Sequence, residues 1–274
     1  MNRLFGVVLW AATALALAFF VVPVAAIFLR VPPGDMLDAL GSDVARDALR
    51  VTLETTVVAQ IVILVVGTPA AYLIATRRFR GRSVVITLVE LPLVLPPAVA
   101  GIALLAAFGR FGLLGETLSA LGLEIAFTRL AVVLAIVFVA GPFFLRTAIA
   151  AFEAVDTTLV DASRTLGAGP ARTFGRVALP LASGGLGAGA ALAFARGLGE
   201  FGATIMFAGS LQGVTQTLSL AVYEQFDVDF DTALAIGAEL VAASALLLLA
   251  VKLIPSWRPS TQSFPIPSAH SASS

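Results

Sequence analysis

The chain has 274 residues, 59% of them hydrophobic and 12% charged, with a formal net charge of zero and a mean hydropathy of +0.99. So much apolar surface belongs in a bilayer rather than in a soluble domain of this length. Zero cysteines exclude disulfides and thiolate metal sites, the neutral net charge gives no field for nucleic acid, and the only histidine, His270, lies in the C-terminal tail, far from any site that would use an imidazole base or ligand.

A helix needs about 20 apolar residues to cross the hydrocarbon core. Six stretches qualify, at roughly 5–29, 52–76, 84–108, 130–151, 181–209 and 232–254. The expected fold is therefore all-α, a polytopic membrane domain over 1–254 with a disordered Ser/Pro-rich tail over 255–274. Arg3 before the first apolar run imitates a secretory signal, but the run far exceeds the usual ~7–15 residues and reads as a retained span.

Basic residues set the orientation. With the N-terminus in the cytoplasm, Arg3, the cluster Arg77, Arg78, Arg80 and Arg82, then Arg146, Arg164, Arg172, Arg176, Lys252 and Arg258 all face inward. Arg30, Arg46, Arg50, Arg110 and Arg129 face outward, and Arg196 lies within a span. Both termini and residues 152–180 are thereby expected in the cytoplasm.

In the third stretch Glu90 precedes Pro92, Pro96 and Pro97, which remove backbone donors and bend the helix. The bend suits a pathway wall and a packing kink equally. Glu54 and Glu239 lie one or two turns from the external face, where snorkelling, or pairing with Arg50 or another span, accommodates both carboxylates.

Between the fourth and fifth stretches runs DASRTLGAGPARTFGRVALP, residues 161–180. Asp156, Thr157 and Thr158 are N-cap residue types, and Leu159, Ala162, Ser163 and Leu166 share one helical face. Gly167 stands where a glycine ends a helix, and Pro170 follows. The pattern predicts a short helix outside the membrane, then a second helical piece over 171–178 leading to Leu179 and Pro180. It is either a connector at the headgroups or a peg for a groove on a cytoplasmic partner.

In the fifth stretch Gly185 and Gly189 have the G-x-x-x-G spacing of close helix approach, within one subunit or between two. Gly197, Gly199 and Gly202 surround Glu200, weakening the helix where a charge is buried, and Arg196 lies four residues earlier on the same face. A buried charge is costly unless paired, so the turn with Arg196, Glu200, Phe201, Gly202 and Thr204 is expected to line or brace a pathway. Glu200 facing a pore would repel an anion and suits a brace, whereas the Thr204 hydroxyl suits contact with an oxyanion. Tyr223, Glu224, Asp227, Asp229 and Asp231 follow on the external side, as a solvated loop or as a docking surface for a basic partner.

The run Asp161-Ala162-Ser163, three residues, Gly167, nine residues, Val177, one residue, Leu179-Pro180 resembles the EAA signature of bacterial ABC importer permeases. Its spacing matches in full, with Asp161 in place of Glu and Ser163 in place of the second Ala. VELPLVLPPAVAGIALLAAFG (89–109), ARGLGEFGATIMFAGS (195–210) and TQTLSLAVY (215–223) are similar to segments of molybdate/tungstate importer permeases, and less closely to sulfate permeases. The likeness covers roughly 50–254.

It implies a permease subunit in a bacterial or archaeal cell membrane, paired with a second copy of itself, docked on an ABC ATPase dimer and fed by an extracytoplasmic oxyanion-binding protein. It also implies that Leu159, Asp161, Ala162, Ser163, Leu166, Gly167, Leu179 and Pro180 form the ATPase-coupling segment; Pro96, Pro97, Arg196, Glu200, Phe201, Gly202 and Thr204 are expected, on the chemistry above, beside the pathway or gate. No G-x-x-x-x-G-K-[ST] is present and Lys252 is the only lysine, so this chain has no P-loop. ATP and Mg would then reside on the partner ATPase, with no cofactor on this chain. The alternatives are a sulfate permease and a self-contained secondary carrier, the latter expected to show inverted repeats.

Overall fold

The computed structural model describes residues 3–253, all of whose regular structure is helical; the Ser/Pro-rich tail lies outside the described residues. Among the described residues four helices are long and apolar enough to cross a membrane: Phe5–Arg30, Asp43–Thr76, Arg129–Glu153 and Pro170–Leu198. Helices α4 (Arg82–Val94) and α5 (Pro97–Phe108) qualify only as a pair, bent by 117°. Helix α13 (Phe230–Leu253) stands where the sixth span is expected.

The third expected span is thus two helices, and the break follows from its prolines. A residue before proline is driven out of the helical region. Leu95 and Pro96 both precede one, and both are extended, at ψ 135° and 133°. Pro97 then starts α5 at a position where the missing N–H costs nothing.

The fifth expected span also divides. Helix α9 (Pro170–Thr173) runs through a π turn, Phe174–Ala178, into α10 (Leu179–Leu198), so the separate piece expected over 171–178 is the first part of one 29-residue helix. Pro180 cannot donate to the turn before it, and the wide turn, closed by Leu179 N–H to the Phe174 carbonyl, accommodates that defect. After Leu198 the chain breaks, and α11 (Gly202–Ala208) resumes.

Helix α7 (Arg129–Glu153) is the centre of the bundle, packed by α3 (Asp43–Thr76), α10 and α11. Small residues permit this. A Cβ on Gly67 of α3 would lie 2.9 Å from the Phe144 ring, one on Gly185 would lie 2.5 Å from Ala151 Cβ, and one on Gly189 would lie 3.0 Å from Thr147 Cβ. The G-x-x-x-G pair therefore seats α10 against α7 of the same chain, which resolves its two readings in favour of internal packing.

Ion pairs mark the two ends of the bundle. Near the start of α3, Glu54 pairs with Arg50 and with Arg129 of α7, each at 2.7 Å. At the other end, Arg82 pairs with Glu153 and donates from Nε to the Ile74 carbonyl. Helices α3 and α7 therefore run parallel. Helix α1 (Arg3–Arg30) has no buried residue over Phe5–Arg30, and Trp10, Leu15, Phe19 and Phe20 stand outward, as suits contact with lipid.

The segments expected on the external side contain more helix than their polarity suggests. Helix α2 (Pro33–Leu40) and the first turns of α3 occupy 33–50, α6 (Gly115–Ala120) lies between α5 and α7, and α12 (Leu218–Phe226) occupies the acidic segment. That segment is largely helix rather than loop, and Tyr223, Glu224, Asp227, Asp229 and Asp231 all stand exposed on it or just beyond it. Leu218, Leu220 and Ala221 are buried, Gln216 donates to Glu224, and Asp229 accepts from the N–H groups of Asp231 and Thr232 at the start of α13.

Candidate functional site: a capped end helix and a broken-helix crossing

Helix α8 (Thr157–Thr165) is closed at both ends by local chemistry. Asp156 Oδ1 accepts from Thr158 N–H at 2.8 Å, and hydrogen bonds from the Thr158 hydroxyl and N–H hold this carboxyl below the usual carboxylate range. At the other end Gly167 adopts φ +83°, its N–H reaches the Arg164 carbonyl, and Ala168 N–H reaches the Ser163 carbonyl. These two bonds make a Schellman closure, and only glycine takes that φ without strain.

No residue of α8 is buried. Leu159 and Leu166 are exposed, Leu166 to 88%, and Asp161 and Ala162 also face outward. Ser163 differs. Its Oγ donates to the Val160 carbonyl at 2.8 Å and lies 3.0 Å from the hydroxyl of fully buried Thr173. The serine in place of alanine thus ties α8 to α9. Leu179 and Pro180 are not on this helix but at the start of α10 beyond the π turn.

The two chain breaks meet elsewhere. Pro97, Ala98, Arg196, Gly199, Glu200, Phe201 and Gly202 line one cavity of about 340 Å³. The approach of α5 to α11 is tight: a Cβ on Gly202 would lie 2.7 Å from Pro97 Cβ, and one on Gly101 would lie 2.6 Å from the Ala203 carbonyl oxygen. Glycine at these two positions is required by the crossing itself.

Glu200 is 2% exposed and is held at three atoms. Oε1 accepts from Ala203 N–H at 2.7 Å, closing the first turn of α11. Oε2 lies 2.7 Å from Arg196 Nη1, a charge contact without hydrogen-bond alignment. Its backbone carbonyl accepts from Ser219 Oγ at 2.7 Å. Helix α12 is fixed from its other side by Leu218 N–H donating to Thr52 Oγ1 at 2.8 Å. The Phe201 ring packs at a tilt against Tyr223, with centroids 5.1 Å apart.

Of the residues singled out in sequence for a pathway, the structure brings together Pro97, Arg196, Glu200, Phe201 and Gly202. Pro96 is exposed at the bend but does not line the cavity, and Thr204 is fully buried away from it with its hydroxyl unpartnered. Thr204 is therefore not a cavity contact, because α11 turns that face into the bundle. Thr52, Ser219 and Tyr223 were missed as supports; the polar Thr52 within an apolar run was the available signal.

The sequence model of the binding-protein-dependent transport system inner membrane component family matches residues 63–257. The chain is 43% identical over 237 residues to the molybdenum transport system permease protein ModB of Mycobacterium bovis, covering 86% of this chain and 89% of that protein. It is 37% identical over 210 residues to the sulfate transport system permease protein CysT of Escherichia coli, covering 76% of each. Its fold matches a chain in the crystal structure of a bacterial alginate ABC transporter in complex with alginate pentasaccharide-bound periplasmic protein. There the TM-score is 0.73 at 15% identity, over 91% of this chain and 93% of the other. The apolar helices, the broken-helix crossing and these matches together make the chain an integral-membrane permease, a transporter subunit and not an enzyme, belonging to the binding-protein-dependent transport system inner membrane components.

Proposed function

We propose that this chain is the membrane subunit of an ATP-driven importer for a tetrahedral oxyanion, molybdate or tungstate. It has six spans with both termini in the cytoplasm, and alternating access is driven by separate ATPase chains. One observation carries the coupling: a nine-residue helix, closed at both ends, has no buried residue and presents Leu159 and, at its C-cap, Leu166 outward. An apolar face of that kind suits a groove on a partner. It lies at the same end of the bundle as the Arg77–Arg82 turn, the end that basic residues assign to the cytoplasm.

Closure of an ATPase pair would push α8, and the Ser163–Thr173 tie would pass the motion into α9 and α10. Helix α10 ends at Arg196 and Glu200, so the movement arrives at the crossing with α5, which we assign as part of the pathway. Glu200, which lines the same cavity, braces the break and neutralises one side of Arg196 at 2.7 Å, leaving the remaining guanidinium donors to meet an anion. Two copies of the chain would enclose the pathway, with an external oxyanion-binding protein delivering the cargo. ATP and Mg belong to the ATPase.

The molybdenum permease of Mycobacterium bovis, 43% identical, supports the cargo assignment over that of the sulfate permease at 37%. Co-expression with an ABC ATPase and an oxyanion-binding protein from the same organism tests both parts. The ATPase should co-purify with the wild type, and Gly167→Trp, which disrupts the turn at φ +83°, should abolish ATP-driven uptake. Normal uptake by that variant would remove α8 from the coupling path. Titration of the binding protein should show tight binding of molybdate or tungstate, and tight binding of sulfate alone would reassign the cargo.

A further inference from the structure

A second polar cavity, of about 460 Å³, opens between α8 and the turn joining α3 to α4. Its inner wall is apolar, formed by Tyr72, Phe152, Val155 and Ala178, with the Tyr72 ring packed 5.3 Å from Phe152. Its rim is cationic, with Arg77, Arg78, Arg82 and Arg164. Arg82 is paired with Glu153, and Arg164 lies 3.4 Å from Asp161. Arg77 and Arg78 have no acidic partner among the described residues, so two guanidinium charges remain unanswered on the rim.

The backbone delivers them there. Helix α3 ends at Thr76, Arg77 is extended at ψ 129°, and Gly81 at φ +90° lets the chain reverse into α4. The two arginines therefore emerge at the end of a membrane-length helix, at the depth of lipid phosphates.

We propose that this cavity binds a phosphate-class anion supplied by the headgroup of an anionic lipid. The chemistry distinguishes the source: a free phosphate would use the arginines only, whereas a phospholipid also covers the apolar wall beneath them. The volume falls within the range of small-molecule sites. Thr157, Val160, Asp161 and Arg164 of α8 form the opposite wall, so an occupant bridges the end helix to the bundle. Helix α8 otherwise buries nothing and is tied by the Ser163–Thr173 hydroxyl contact, and lipid occupancy would restrain its position. The site stands on this chain alone, whether or not α8 transmits force from an ATPase.

The test is native mass spectrometry of the purified full-length protein in detergent, with phosphatidylglycerol or phosphatidylcholine added. One phosphatidylglycerol per chain should remain bound where phosphatidylcholine is lost. Arg77→Gln with Arg78→Gln should weaken retention roughly 30-fold, as expected for two basic residues at a lipid surface. The pair Arg77→Lys and Arg78→Lys should retain it. Arg80→Gln, on the same turn but outside the cavity, should leave retention unchanged. Equal weakening by Arg80→Gln would reduce the effect to general surface charge and overturn the site. Displacement of the lipid by millimolar inorganic phosphate would overturn the lipid assignment in favour of a soluble anion, and equal retention of both lipids would overturn it altogether.

Discussion

Removing the Glu200 side chain would open the first turn of α11 and leave the Arg196 guanidinium, 29% exposed, without its counter-charge. Breaking one partner out of a buried pair costs about 3–5 kcal/mol, and partial exposure of Arg196 puts the Glu200→Ala variant near the lower end, about 3 kcal/mol. Glu200→Gln keeps an acceptor for Ala203 N–H and should lose less. Thermal unfolding in detergent measures both, and a Glu200→Ala protein as stable as wild type would refute the bracing role. Asp156 gives a pH signature. Its folded-state pKa lies below the ordinary value, so the cap stabilises α8 fully above about pH 4 and fades as pH falls through the lower folded value. Hydrogen exchange should show α8 protection dropping at acid pH in the wild type, and little pH dependence in Asp156→Asn, whose amide caps without ionising. The Arg196–Glu200 pair was readable because its four-residue spacing is a local rule. The supports around it were not, since Ser219 bonds Glu200 from 19 residues away and Thr52 bonds Leu218 from 166 residues away, and no local pattern encodes such pairings.

The existence of α8 was legible as an element, because caps and the closing glycine act within a few residues of the helix they bound. The two broken spans were only half legible. Prolines and glycines announced weak points at 95–97 and 197–202, but a bend of 117° is decided by what packs on either side. Amphipathic pieces such as α2 and α12 escaped notice because their inward faces are short and rest on neighbouring helices. The contact of α10 with α7 supplies a direct test of element packing. In Gly185→Leu a side chain must fit where even a Cβ lies 2.5 Å from Ala151, and overpacking of this kind costs about 1–3 kcal/mol. A lowered unfolding temperature is expected, with Ala151→Gly partly restoring it by making room. An unshifted unfolding temperature for Gly185→Leu would show that α10 does not approach α7 this closely.

At the scale of the whole molecule, the family and the all-helical membrane fold were within reach of composition and one spaced motif, because hydrophobic length and turn chemistry are local quantities. The cargo was not. The cavity we propose as part of the pathway offers Arg196 beside Glu200 among small and aromatic residues, a set that does not single out one small oxyanion. The most direct measurement is uptake of labelled molybdate by proteoliposomes holding this chain, its ATPase and its binding protein. ATP-dependent accumulation is expected, competed by tungstate and little affected by sulfate. Accumulation without ATP, or ATP-driven uptake of sulfate with none of molybdate, would contradict it.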